Sequence, residues 1–155
     1  MSSTETPQSS HRPPELEGTR THEHLRQAYA RDAQAARLWA SFARVAEIEG
    51  FPEAARVLRD LAESEALHAD GHLDLLARAG DPLDGAPLGE TAANLRAAIG
   101  SQEAHHREVL AVAVGAARGE GFPDVASWFE SVGHARAVHV ERLRAVLAHT
   151  EGGSR

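Results

Sequence analysis

Apolar residues recur every three to four positions along four long stretches of the chain, the pattern of amphipathic helices. The first stretch runs from about Thr21 to Glu49, with Thr21 as a candidate N-cap and Glu23 in the first turn. The second starts at Pro52, a residue suited to a first helical position, and fades near Gly80. The third runs from about Thr91 to Arg118 and the fourth from Pro123 to His149 or Thr150. Their apolar stripes read Trp39, Phe42 and Ala46 on the first helix and Leu58, Leu61 and Leu76 on the second. The third gives Leu95, Val109 and Val112, and the fourth Val125, Phe129, Val132 and Leu143.

The chain also repeats itself. Glu49-Gly50-Phe51-Pro52 returns as Glu120-Gly121-Phe122-Pro123, 71 residues later. These two tight turns join the first helix to the second and the third to the fourth, which makes each pair an antiparallel hairpin. The connection from Asp81 to Gly89 holds two prolines and two glycines and is long enough to cross a bundle. An all-α, ferritin-like four-helix bundle of two hairpins and one long crossover is therefore expected over residues 21–149. Residues 1–20, rich in Ser, Thr and Pro, read as a disordered tail, and residues 150–155 as a flexible C-terminal one.

Composition narrows the function. A length of 155 residues fits one domain, and 42% hydrophobic residues with only 5% aromatics fits helices packed through small side chains. A net charge of −7, without a basic patch, argues against nucleic-acid binding. The absence of cysteine excludes disulfides, thiolate metal sites and iron–sulfur clusters. No stretch reads as a signal peptide or a membrane span, so a cytoplasmic protein is expected.

Each apolar stripe is interrupted at one level. Asp32 lies 17 residues before Glu49, and Glu65 lies 16 after it; Gln102 lies 18 before Glu120, and Arg136 lies 16 after it. That places Asp32, Glu65, His68, Gln102, His105, Arg136 and His139 in one interior layer, about 25 Å from one end of the bundle. Buried charges are paired or ligate metals, so the layer reads as a metal site, an ion-pair network or both. Glu65-Ala66-Leu67-His68 has metal-ligand spacing on one helix face, whereas its counterpart Arg136-Ala137-Val138-His139 carries a cation. Glu103 and His106 offer a rival register on the third helix. Glu103 shares its stripe with Arg96 and Arg107, however, so Gln102 and His105 are taken as the inward pair. His72 reads as a core-edge histidine, and His106 and His134 as surface or interface residues. Trp39, Phe42, Phe51, Phe122, Trp128 and Phe129 read as core or dimer-face packing.

With the Glu-x-x-His spacing, its echo, the Gly-Phe-Pro turns and the Asn94-Leu95 helix start, residues 21–149 resemble the rubrerythrin family, without its rubredoxin domain. The resemblance implies a di-iron centre of glutamates and histidines, activity toward peroxide or dioxygen, and a homodimer. Carried over by position, the first helix's glutamate is Asp32, the second helix keeps Glu65 and His68, and the third helix's Glu-x-x-Glu becomes Gln102 and His105. The fourth helix's Glu-x-x-His becomes Arg136 and His139. In the family pattern the position of Arg136 bridges both irons, and an arginine there stays charged and repels a cation. The expectation is at most one metal, with Asp32, Glu65, His68, His105 and His139 as donors and Gln102 and Arg136 as flanking or metal-replacing groups. Iron is the metal the resemblance implies, while zinc and manganese also suit two carboxylates with imidazoles. A redox role needs an external electron donor, because no cysteine is available for a rubredoxin. The alternative is a metal-free bundle in which Asp32, Glu65, Arg136 and the histidines form a buried network for a structural or interaction role.

Overall fold

The computed structural model describes residues 15–80, 82–83, 85–105 and 110–152. Among them there are five helices and no strand: α1 (Arg20–Ile48), α2 (Pro52–Leu76), α3 (Thr91–His105), α4 (Ala111–Gly119) and α5 (Pro123–Gly152). The all-helical class and the two antiparallel hairpins are as expected. α3 and α4 share the ground of the third predicted helix, with residues 106–109 outside the described segments. So is most of the predicted N-terminal tail. The C-terminal boundary moves: Glu151 and Gly152, expected in a flexible tail, continue α5, and Glu151 pairs with Arg96 of α3. The first helix starts one residue earlier than read, because Thr19, not Thr21, caps it by accepting from the His22 amide at 3.1 Å.

The repeated turn is a helix stop and a helix start in four residues. Gly50 takes φ 82° and Gly121 φ 85°, left-handed values that glycine adopts without strain. Phe51 N donates to Ala46 O at 2.8 Å and Gly50 N to Glu47 O at 3.2 Å. In the second copy Phe122 N donates to Ala117 O at 2.8 Å and Gly121 N to Arg118 O at 3.3 Å. Both sets are the 6→1 and 5→2 bonds of a Schellman stop. Proline then opens the next helix, where its missing N–H is not needed.

The tight seam of each hairpin is not the stripe of large residues. α2 buries Ala55, Ala62, Ala69 and Leu76, one residue per seven, against Ala36, Ala43 and Ala46 of α1. α5 buries Ala126, Gly133 and Val140, the positions 71 residues beyond Ala55, Ala62 and Ala69. Small side chains let the two helices of a hairpin approach closely. The larger residues, read from the sequence as core or dimer-face packing, lie beside this seam and remain open. Phe42 is 46% and Leu61 44% exposed, and Phe51, Phe122 and Trp128 are exposed too. They are not core among the described residues, where they stay open to solvent.

Among the described residues α1 packs on α2, and α5 packs on α3 and α4, but no helix of the first hairpin packs on a helix of the second. The connection between hairpins is folded onto the open end of the first. Arg26 Nε donates to Pro82 O at 2.9 Å. Tyr29 and Leu73 line a pocket with Pro82, Leu88 and Asn94. Gly80, at φ 102°, passes so close that a Cβ there would meet Gly85 O at 2.6 Å. α3 thus starts at the end of the hairpin where α2 stops.

Candidate metal centre

Asp32 sits in the middle of α1, and Glu65, His68 and His72 follow one another on one face of α2 at spacings of three and four. The hairpin arms are of nearly equal length from the Gly50 turn, so α1 and α2 bring these residues to one level. The ligand atoms of Asp32, Glu65 and His68 all lie within 4.8 Å of one another. Metal–ligand bonds of about 2.0–2.2 Å hold donor atoms somewhat closer than this, so a small inward movement completes the fit. Two carboxylates and an imidazole are a donor set for Fe(II), Mn(II) or Zn(II). The two carboxylate side chains are only 14% and 18% exposed, whereas His68 is 59% exposed and keeps one side of the cluster open.

Each carboxylate has a histidine beside it. His72 Nε2 lies 3.2 Å from Asp32 Oδ2, and His68 Nδ1 lies 3.5 Å from Glu65 Oε2. A histidine fixing a ligating carboxylate is a common support in metal centres. His72 was read from the sequence as a core-edge histidine; its partner across the hairpin was not visible there, since it depends on which face of α1 meets α2. Arg31 Nη1, 3.8 Å from Asp32 Oδ1, is largely exposed and adds little.

The rest of the predicted layer stands on the second hairpin. Gln102 and His105 are half-buried on α3; Arg136 is half-buried and His139 exposed on α5. Gln102 and His139 line one groove, and Gln102, Glu103 and Arg136 line another. The buried Gln102 Oε1 has no hydrogen-bond partner. Arg136 makes no ion pair among the described residues, so the expected pairing with Glu65 does not form within one chain. The single interior layer is therefore two half-layers, and no polar or charged residue among the described ones is fully buried. One expectation about the rival register also changes. Glu103 is half-buried and pairs with the exposed Arg144 across α3 and α5. The opposed charges of Glu103 and Arg144 on facing helices were the available signal. His106 lies outside the described residues.

The chain is similar to known proteins. Residues 23–147 match the family model described as Rubrerythrin. A rubrerythrin of Porphyromonas gingivalis is 33% identical over 147 residues, covering 90% of this chain and 72% of that protein. Rubrerythrin-1 of Clostridium acetobutylicum is 28% identical, covering 88% of this chain and 74% of its own. A Clostridium perfringens rubrerythrin is 26% identical over 149 residues, covering 89% and 75%. No described helix is long and apolar enough to cross a membrane.

Proposed function

Because the chain belongs to the rubrerythrin family, we propose that it is a metal-binding protein whose two-metal centre is reduced to one metal. The observation that carries this is the asymmetry of the repeat. Asp32, Glu65 and His68 converge on one hairpin, while the position equivalent to Glu65 on the other is Arg136. The first hairpin offers two anions and an imidazole. The second offers the imidazoles His105 and His139, the neutral Gln102 and a permanent cation. Asp32, Glu65 and His68 would hold the ion, with His105 and His139 as further donors. Arg136 then takes the place of a second cation and balances the carboxylates.

A bound iron would supply electron transfer toward peroxide or dioxygen. In that role the exposed side of His68 is the approach for a small oxidant, and electrons come from a separate donor. Metal analysis of purified protein, with anomalous scattering on crystals, tests the reading. One metal per chain beside Glu65 and His68 is expected. Two metals at the level of Arg136, or none after loading with Fe(II), Mn(II) and Zn(II), refutes it. Peroxide consumption by the loaded protein, lost in Glu65→Ala, tests the redox role separately.

A metal-free structural protein is the second reading. It is favoured by the histidines that stand within ion-pair distance of both carboxylates, His72 of Asp32 and His68 of Glu65. On that reading chelators leave the melting temperature unchanged, whereas an ion bound only to the folded state raises it.

A further inference from the structure

We propose that His72 is a positioning residue for the metal: it holds one oxygen of Asp32 and leaves the other for the ion, an inference that rests on the single-metal reading. The contact crosses the hairpin. His72 Nε2, on α2, lies 3.2 Å from Asp32 Oδ2, on α1. An N–H at Nε2 donates to that oxygen. Asp32 Oδ1 has Arg31 Nη1 at 3.8 Å, too far for a hydrogen bond, and stays available as a ligand. The outer torsion of an aspartate is broad and two-fold, and tying Oδ2 to a ring on the facing helix fixes it. Asp32 is 14% and His72 29% exposed, so little water competes for the bond.

The internal repeat supplies an independent observation. α2 and α5 keep the 71-residue offset in their buried seams, Ala62 with Gly133 and Ala69 with Val140. At that offset His72 corresponds to Leu143, and both are half-buried. A leucine therefore fits this place in a hairpin, and packing alone does not call for a histidine. The histidine stands in the hairpin that has Glu65, the leucine in the hairpin that has Arg136. His68 differs, because its counterpart is again a histidine, His139. His72 goes with the carboxylate pair, and His68 does not.

Spacing separates the two histidines further. His68 is one turn beyond Glu65, and its ligand atom lies within 4.8 Å of those of both carboxylates. His72 is two turns beyond Glu65 and meets the group at Asp32. It thus supports a ligand rather than adding one. Removing such an outer partner weakens metal binding by about 10–100-fold and leaves the directly bound donors in place.

Two variants test the role. His72→Leu installs the residue of the second hairpin, and His72→Gln keeps an N–H donor without the imidazole. Parent and variants are loaded with Co(II), dissociation constants are measured by competition with a chromogenic chelator, and X-ray absorption counts the bound imidazoles. The expected result is binding about 10–100-fold weaker in His72→Leu, an unchanged imidazole count, and recovery of most of the affinity in His72→Gln. Unchanged affinity in His72→Leu overturns the proposal. So does an equal loss in both variants, and so does an imidazole count that falls by one, which would make His72 itself a ligand. If His72→Leu does not fold, His72→Gln decides alone: parental affinity supports the role and lost affinity overturns it. Those failures leave the single-metal reading standing, whereas a parent that binds no Co(II) refutes that reading and the proposal together.

Discussion

Asp32→Asn separates the metal reading from the metal-free one by its sign. The ligand atoms of Asp32 and Glu65 lie within 4.8 Å of each other, where two unit charges repel by about 3.5 kcal/mol at an effective dielectric of about 20. Solvent at side chains 14% and 18% exposed and the partly compensating His72 contact reduce this to a net strain of about 1–3 kcal/mol. Asparagine keeps the shape beside His72, so the substitution removes the repulsion with little loss of packing. In chelator, Asp32→Asn is expected to raise the melting temperature by about 2–12 °C, at about 2–4 °C per kcal/mol for a chain of this size. With Fe(II) or Mn(II) at about one hundred times the dissociation constant, the parent gains about 2.7 kcal/mol from binding, and the variant loses most of that gain. Differential scanning calorimetry of both proteins, with chelator and with metal, measures the four values. If Asp32→Asn lowers the chelator value and the metal-induced shift survives, Asp32 belongs to a stabilising ion network and the metal assignment is wrong.

Other expectations follow from the same structure. Arg136→Glu restores a carboxylate opposite the first site; elemental analysis should show metal rising from one toward two per chain, and no rise would mean that the second position is lost for other reasons. Ala62→Leu forces a larger side chain into the α1–α2 seam and should cost about 1–3 kcal/mol, while Ala66→Leu on the exposed face of the same helix should leave urea midpoints nearly unchanged. Gly50→Ala places a Cβ at φ 82° and should destabilise by about 1–2 kcal/mol through strain rather than contact, since nothing lies within 4 Å of that position. Equal loss at Gly71→Ala, a helical site also open to 4 Å, would contradict this account.

The hairpins were legible because their signals are local. Pro52, Pro123 and the two turn glycines mark helix ends through backbone geometry, which needs no tertiary context. Asp32, Glu65 and His68 were legible because spacing on α2 and equal arm length from Gly50 fix their level. The Ala55–Ala62–Ala69 seam was not, since periodicity was read from the large residues, and alanine is neutral to that reading. Large residues marked the open face, whereas the closest helix contact is set by the smallest ones. The Thr19 cap was missed because Thr19 and Thr21 are alike as residues, and the choice depends on the backbone at Gly18, which turns at φ 73°. Assembly of the layer was out of reach for a different reason. The sequence places seven residues at one level but does not say whether the two hairpins of one chain meet there.

The repeat carries a further pattern that bears on that choice. Glu47 of α1 pairs with Arg59 of α2 at 3.1 Å; the equivalent positions in the second hairpin are Arg118 and Glu130, which also pair, with the signs exchanged. Glu65 and Arg136 are exchanged in the same sense. Each exposed pair adds little stability by itself, and either polarity closes a hairpin equally well. The reversal matters between hairpins. Two first hairpins face to face would bring Asp32 and Glu65 against the same carboxylates, and two second hairpins would bring Arg136 against Arg136. Only first against second sets anion against cation. Like-charge contact at a covered face costs several kcal/mol, so these exchanges would disfavour contact between like hairpins. A chain that repeats its own hairpin turn 71 residues on gains from such a device, because the turns alone do not tell the hairpins apart.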